Sequence, residues 1–229
     1  MSAPADVTLE SIAARAARAG LALRGALHPP AELLPPVAAA HPVGTLVLLG
    51  FTGGLQWPVF SASAEAGDGR PHPLDRWSRR TIGALASEVG ATALYPNDGP
   101  PWLPFQRWAR AAEPVHPSPL GVLIHPDFGL WHAYRGALAF SARLTLPARD
   151  ARPSPCERCT GKPCLTTCPI GAVTAEAFDT TACDRFVRAS ADNDCRLRGC
   201  AARARCPVGA AYRYGEAQAR FHMAAFIGR

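Results

Sequence analysis

CERCTGKPCLTTCP, residues 156–169, opens a segment that holds all eight cysteines of the chain. No cysteine precedes Cys156, and the last one, Cys206, begins CPVGA at 206–210, which repeats the CPIGA at 168–172. Thiolates are soft donors that suit iron or zinc, and gathering them in one short segment is typical of metal ligation. The segment therefore predicts a metal-binding domain built from two related halves.

The two CPxGA endings resemble the two-cluster bacterial ferredoxins. In those proteins three closely spaced cysteines hold one [4Fe-4S] cluster, and the cysteine before proline binds the other. The residues after each proline can also aim backbone N–H groups at sulfur. By this resemblance we expect two sets of four ligands: Cys156, Cys159 and Cys164 with Cys206, and Cys183, Cys195 and Cys200 with Cys168.

The spacing departs from that of ordinary ferredoxins, and two other uses of the cysteines stay open. Residues 160–163 separate Cys159 from Cys164 where two residues are usual, and the second half, which contains Cys183, departs further. A disulfide framework would need an oxidising compartment, but residues 1–20 contain no apolar core of an export signal. Structural zinc takes four cysteines, but zinc does not explain the repeated CPxGA.

Basic residues are in excess at the C-terminal end. Residues 151–229 hold 12 Lys and Arg against 7 Asp and Glu, whereas residues 1–150 hold 12 against 11. Two oxidised clusters with their thiolates would carry about −4 in total, so the excess reads as counter-charge. Four arginines lie among the later cysteines: Arg196, Arg198, Arg203 and Arg205. They could tune the potential of a cluster, dock an acidic partner or form an ordinary solvated face.

The expected partner is a redox protein or a small-molecule acceptor. The sequence contains no lysine run and no recognised nucleic-acid motif, so we expect no nucleic acid as partner. It contains no apolar run long enough for a membrane span, and we expect a cytoplasmic protein.

Upstream of the cysteines, short apolar runs alternate with helical patterns, which predicts an α/β layer. The expected elements are a helix from Leu9 to before Gly20, strands at 21–27 and 45–51, a helix capped by Asp75 and ended by Gly90, and strands at 91–96 and 121–124. The proline-rich connection at 28–42 cannot be helical throughout. A last helix, Glu216 to Ile227, would pack through Phe221, Ala224 and Ala225.

Two loops rich in glycine, proline and tryptophan, 50–58 and 96–108, could line a pocket. Four tryptophans are expected first in the core and second beside a flat cofactor: Trp57, Trp102, Trp108 and Trp131. The histidines follow no metal-ligand spacing and lie beside no serine or cysteine nucleophile, so no hydrolytic triad is expected.

The order of these parts resembles the cobalamin-dependent epoxyqueuosine reductases and reductive dehalogenases. The resemblance lies mainly in GVLIHPDFGLWHAYRGALAFSARLTLP, residues 121–147, and in its distance from Cys156. It implies a nitroreductase-like domain, a two-cluster domain, and electron delivery to a cobalamin that lacks its lower axial base. We expect no counterpart of the additional C-terminal helices of the tRNA-modifying members. Asp98, the candidate counterpart of the proton-donating aspartate, is also explained as a turn residue.

We therefore expect an α+β (α/β) fold, with a nitroreductase-like α/β sandwich at 1–150 and a ferredoxin-like domain at 151–229. The expected function is electron transfer by an iron–sulfur protein with two [4Fe-4S] clusters, to a partner or to a cofactor in the first domain. Two alternatives stay open: a cobalamin-dependent reductase that removes an epoxide oxygen or a halide, and an iron–sulfur binding module without catalysis. No catalytic or organic-cofactor residue is assigned.

Overall fold

The computed structural model describes residues 7–39 and 42–228. Residues 1–6, 40, 41 and 229 lie outside the described part. Two expectations fall partly on them: the absence of an export signal in residues 1–20, and the proline-rich connection at 28–42. Within the described part, no helix combines the length and the apolar character needed to cross a membrane.

The secondary structure alternates helices with short strands along the first part of the chain and becomes mostly helical after residue 140. In chain order the elements are α1 Leu9–Arg18, β1 Ala22–Leu27, β2 Thr45–Thr52, α2 Trp57–Ser61, α3 Ala64–Gly67, α4 Pro73–Val89, β3 Thr92–Leu94, α5 Phe105–Ala112, β4 His116–Pro117, β5 Leu123–Ile124, β6 His132–Phe140, α6 Pro155–Arg158, α7 Pro163–Thr166, α8 Thr180–Arg188, α9 Asp194–Arg198, α10 Ala201–Ala204 and α11 Glu216–Ile227. Three 3₁₀ turns lie at Ala31–Leu33, Pro36–Ala39 and Ala210–Tyr212.

The chain forms two compact units. The first comprises the described residues up to Pro114 together with Ala133–Ala151, and the second comprises Val115–His132 together with the described residues from Arg152 onward. The sequence placed residues 115–132 in the first domain. They belong instead to the second unit, because Leu120, Ile124 and Leu130 pack in its core. The identification of nitroreductase-like and ferredoxin-like domains stays a prediction.

The first unit is built on a four-stranded antiparallel sheet with the order β1-β2-β6-β3. The strands expected at 21–27 and 45–51 are confirmed as β1 and β2, and every residue of β2 is buried. A strand buried on both faces reads as a continuous apolar run, as TLVLLGF does. The mixed α+β character is confirmed, whereas strand β6 and helix α5 were not expected.

Helix α4 shows how one cap was misassigned. The helix starts at Pro73, where the missing N–H costs nothing, and His72 occupies the N-cap position. Asp75 lies within the first turn and accepts a hydrogen bond from Arg135, so its expected role as the cap is wrong. The expected end at Gly90 is confirmed, since Gly90 has φ +68°.

A buried ion pair ties three elements of the first unit together. Arg24 of β1 donates from Nη2 to Oε2 of Glu113 at 3.1 Å, and the Tyr134 hydroxyl of β6 donates to the same carboxylate. The Arg24 and Glu113 side chains are 0% and 6% exposed. Burial raises the pKa of Glu113 above its usual range, against the opposing effect of the Arg24 charge.

The second unit departs from the sequence expectations at two elements. The strand expected at 121–124 contains only Leu123 and Ile124, which pair with β4 in a separate two-stranded sheet rather than joining an α/β layer. Helix α11 has the expected bounds, but Ala224 and Ala225 are exposed and Gln218 is the buried residue. The alanine and phenylalanine side chains of this helix project on all sides of it, so its sequence does not specify which face is buried.

The tryptophans are divided between core and surface. Trp108 is fully buried and donates to the Leu33 carbonyl at 2.7 Å, and Trp131 is 5% exposed. Trp57 is half-buried against Phe60. Trp102 is 65% exposed, so the core expectation is wrong for this residue. Its loop holds consecutive prolines, which leave little apolar chain to pack around the indole.

Candidate metal centre

The first cysteine loop is shaped by two one-turn helices. Ser154 caps α6 and accepts a hydrogen bond from the Cys156 N–H at 3.3 Å. Cys159 ends that turn, and Cys164 lies in the next turn, α7, which begins after Lys162 at φ +33°. The two residues in excess of ferredoxin spacing thus form an exposed connection between the turns.

Cys206 lies beside this loop. Burial raises the pKa of the Cys156 thiol, and the negative charges of Cys206, Cys164 and Cys159 raise it further. Burial likewise raises the pKa of Cys206, with Cys164 and Cys159 adding to the increase. Like charges shift each other's pKa only at short range. The structure therefore brings together the first expected set, which we call the first cysteine set: Cys156, Cys159, Cys164 and Cys206.

The second cysteine set, Cys168, Cys183, Cys195 and Cys200, is also brought together. All four side chains line one cavity in the second unit. Burial raises the pKa of Cys183 to about 11, and the charges of Cys200, Cys168 and Cys195 act in the same direction. Cys183, whose spacing departed most from the ferredoxin pattern, thus lies with the other three.

The rest of this cavity wall is apolar. It includes Phe186 of α8 and Met223 of α11, with four further apolar side chains among those that complete the wall: Ile170, Val173, Phe178 and Ala202. An apolar wall excludes water and lowers the local dielectric constant, which strengthens the effect of each nearby charge or dipole.

Backbone N–H groups point at several of the sulfur atoms. Val208, two residues after Cys206 in CPVGA, donates its N–H to the Cys206 sulfur and thereby opposes the rise that burial causes in the pKa of that thiol. The N–H groups of Ala202 and Arg203 do the same for Cys200. Such donors favour the thiolate form, the form that ligates metals.

The two sets share one hydrophobic core. Cys206 is part of the buried cluster formed with Leu120, Ile124, Leu130, Val173 and Ala202. Cys156 and Cys164 of the first set and Cys168 and Cys200 of the second pack against this cluster. Within the described residues, no three His, Cys, Asp or Glu side chains are grouped for binding a single metal ion.

Arg203 is distinguished from the other three arginines that the sequence singled out. Its guanidinium lies 4.7 Å from the ring centroid of Trp131 and 4.7 Å from that of Tyr214, and its Nη2 donates to the Leu130 carbonyl. By contrast Arg198 is 73% exposed and lies 3.8 Å from Asp194. Sequence spacing could not separate the two, because the stacking partners lie far away along the chain.

Asp98 is engaged within the first unit. Its Oδ2 accepts from the Tyr95 N–H at 3.0 Å, and its Oδ1 accepts from Arg79 at 2.7 Å. These contacts are those of a turn-forming aspartate, the second explanation that the sequence offered.

Comparison with known proteins gives a likeness of fold. No family model matches the chain, and no curated protein matches it. Among solved structures, the chain is similar to epoxyqueuosine reductase, in a crystal structure with an epoxyqueuosine-modified tRNA-Tyr stem loop, with a TM-score of 0.51 and 14% sequence identity. The likeness covers 90% of this chain, which spans 66% of the length of that one. At this identity the comparison shows a shared fold with a redox enzyme.

Proposed function

We propose that the chain is an iron–sulfur redox protein that holds two [4Fe-4S] clusters, one on each cysteine set. The observation that carries this proposal is the closure of all four cysteines of the second set around one apolar cavity. Four thiolates are the usual ligands of such a cluster. The fold likeness to epoxyqueuosine reductase is a second support.

Two features of the residues fit clusters. The cysteines of each set act on one another electrostatically. N–H groups of Val208, Ala202 and Arg203 point at sulfur, as in cluster sites.

The two sets differ in access to solvent, which suggests a direction of electron flow. Around the first set, Thr160, Gly161 and Lys162 are exposed, whereas Phe186 and Met223 cover the second. Electrons from a one-electron donor protein would enter at the first set and pass through the shared core to the second. From there they would leave to an acceptor, which is a partner protein or a cofactor held by the first unit.

Anaerobic reconstitution with iron and sulfide tests this proposal. The reconstituted protein should contain about eight iron atoms and about eight acid-labile sulfides per chain, and dithionite should produce an EPR signal of reduced [4Fe-4S] clusters. If the purified chain contains zinc and takes up neither iron nor sulfide, the proposal is wrong and the cysteines form a structural zinc site.

A corrinoid-dependent reductase, removing an epoxide oxygen or a halide, is the second candidate. The fold likeness favours it. The residues that the sequence offered for the pocket do not form a cradle within either unit: Asp98 is paired with Arg79, and Trp131 is stacked on Arg203. We derive no corrinoid step from them. Cob(II)alamin added to the protein would take on a base-off EPR spectrum if this candidate is correct.

The cob(II)alamin experiment also bears on the remaining candidate functions. An unchanged cobalt spectrum together with intact cluster signals would leave an electron carrier or a binding module without catalysis. Reduction of a redox partner protein by the reduced clusters then distinguishes these two, since only a carrier passes its electrons on. A tRNA stem loop, present in the similar structure, provides the matching test for nucleic acid.

A further inference from the structure

Arg203, an arginine of the second cysteine segment, is held in place by two aromatic rings and a backbone carbonyl. The ring centroids of Trp131 and Tyr214 each lie 4.7 Å from the guanidinium carbon of Arg203. The two centroids are 5.2 Å apart, and the rings meet edge to face. The Nη2 of Arg203 donates to the Leu130 carbonyl. A cation in contact with two aromatic rings is stabilised by both.

Arg203 lies next to Cys200. The Arg203 N–H donates to the Cys200 sulfur. The guanidinium donates to the carbonyl of Leu130, which belongs to the core cluster against which Cys200 packs. Helix α10, Ala201–Ala204, fixes this spacing, because Cys200 is its N-cap and Arg203 lies in its only turn. The guanidinium therefore acts on the second cysteine set from a fixed position.

We propose that Arg203 is a positioning residue that sets the reduction potential at the second cysteine set. The inference rests on the proposed function, since it requires a cluster there. Reduction adds one electron to a group that is already negative, so a fixed positive charge nearby favours the reduced form. Phe186 and Met223 give the cavity of this set an apolar wall, and charges act more strongly across such a low-dielectric region.

The chain offers a counterpart at the first set. Arg213 donates from Nη2 to the Cys206 carbonyl at 3.2 Å. Arg203 and Arg213 therefore each act on one set. Arg198, 73% exposed, carries the same charge without either kind of contact and serves as the control.

The experiment is an EPR-monitored potentiometric measurement on the reconstituted full chain and on three variants, Arg203→Met, Arg213→Met and Arg198→Met. In Arg203→Met, the ratio of reduced to oxidised cluster at a fixed potential should fall about tenfold for one of the two clusters, which is about 59 mV for a one-electron couple. Arg213→Met should lower the potential of the other cluster, and Arg198→Met should change neither.

Two further variants keep the proposal testable. Arg203→Lys retains the charge and should hold the potential closer to wild type than Arg203→Met does. If the Met variant loses a cluster, Tyr214→Leu leaves Arg203 in the chain but removes one ring, and should lower the same potential by a smaller amount.

Unchanged potentials in Arg203→Met with both clusters intact would overturn the role of Arg203 and leave the proposed function standing. Equal shifts in the Lys and Met variants would also overturn it, because charge would then not be the cause. Absence of clusters in the wild-type chain would instead be a failure of the proposed function.

Discussion

The α-carbon of Gly209 lies directly against the backbone of Phe128. A methyl group on Gly209 would be 2.3 Å from the Phe128 carbonyl carbon and 2.4 Å from its oxygen. Gly129 approaches from the other side, since a methyl group there would be 2.0 Å from the Val208 oxygen. Segment 115–132 is thus joined to the CPVGA turn, backbone against backbone, within the second unit.

This contact makes the two repeated CPxGA glycines unequal. Gly171 has φ +64° with open space around it, and Gly209 has φ +68° with a backbone in the way. Alanine at either position costs about 1–2 kcal/mol in backbone strain. Gly209→Ala must also move the Phe128 backbone, so we expect a total loss above about 3 kcal/mol in the free energy of unfolding.

Urea unfolding of the Gly209→Ala and Gly171→Ala variants measures the loss in the free energy of unfolding that each substitution causes. Equal losses in the two variants would show that strain alone matters and that the close approach does not.

Serine substitutions test how the cysteines are divided. Cys156→Ser and Cys206→Ser should lose or alter the same EPR signal, because both belong to the first set. Cys168→Ser and Cys195→Ser should affect the other signal, because both line the cavity of the second set. Iron analysis should show a loss of up to about four irons per chain in each variant. Loss of the same EPR signal in the Cys206 and Cys195 variants would contradict this division.

Removing one partner of the buried ion pair should be costly. Arg24→Met leaves the Glu113 carboxylate buried without its cation, and we expect a loss of about 3–5 kcal/mol at pH 7. The matched surface variant Arg15→Met breaks the pair with the half-exposed Glu88 and should cost less than about 1 kcal/mol. Denaturant unfolding of both variants gives the comparison.

The cost of Arg24→Met should also depend on pH. Burial raises the pKa of Glu113 above its ordinary value, and loss of the Arg24 charge raises it further. A carboxyl group with a raised folded-state pKa contributes its full stability below the ordinary pKa and loses it as the pH rises through the raised value. The difference between variant and wild type should therefore shrink as the pH is lowered from 7 towards 4.5. A constant difference over this range would contradict the account.

Met223 should protect the second cysteine set from oxygen and water. Its side chain lines the cavity from α11, so Met223→Ala opens the wall. On exposure to air the signal of one cluster should decay several-fold faster than in wild type, while the other should keep its rate. Ala224→Ser, on the exposed side of the same helix, is the control. Equal decay of both signals in Met223→Ala would mean that α11 does not shield this set.

The sequence predicted those elements whose pattern is local. Strand β2 was predicted because an uninterrupted apolar run has one plausible environment, and the end of α4 because Gly90 adopts a positive φ there. In both cases the signal lies within a few residues of the feature. The division of the cysteines into two ligand sets, drawn from the ferredoxin resemblance, stays a prediction.

Features that depend on distant contacts were missed. The assignment of 115–132 to the second unit depends on Gly129 meeting Val208, and nothing near Gly129 in the sequence indicates this. Arg203 differs from Arg198 only through Trp131 and Tyr214. Helix α11 was placed correctly, but its buried face is chosen by α8 and α9, because the apolar residues of the helix do not collect on one side.

The central claim is that two [4Fe-4S] clusters occupy the two cysteine sets. The most direct measurement is iron and acid-labile sulfide analysis of the anaerobically reconstituted chain, combined with EPR after reduction. The account predicts about eight of each atom per chain and signals of two interacting reduced clusters. A chain that binds about one or two zinc ions, holds no labile sulfide and gives no EPR signal would contradict it.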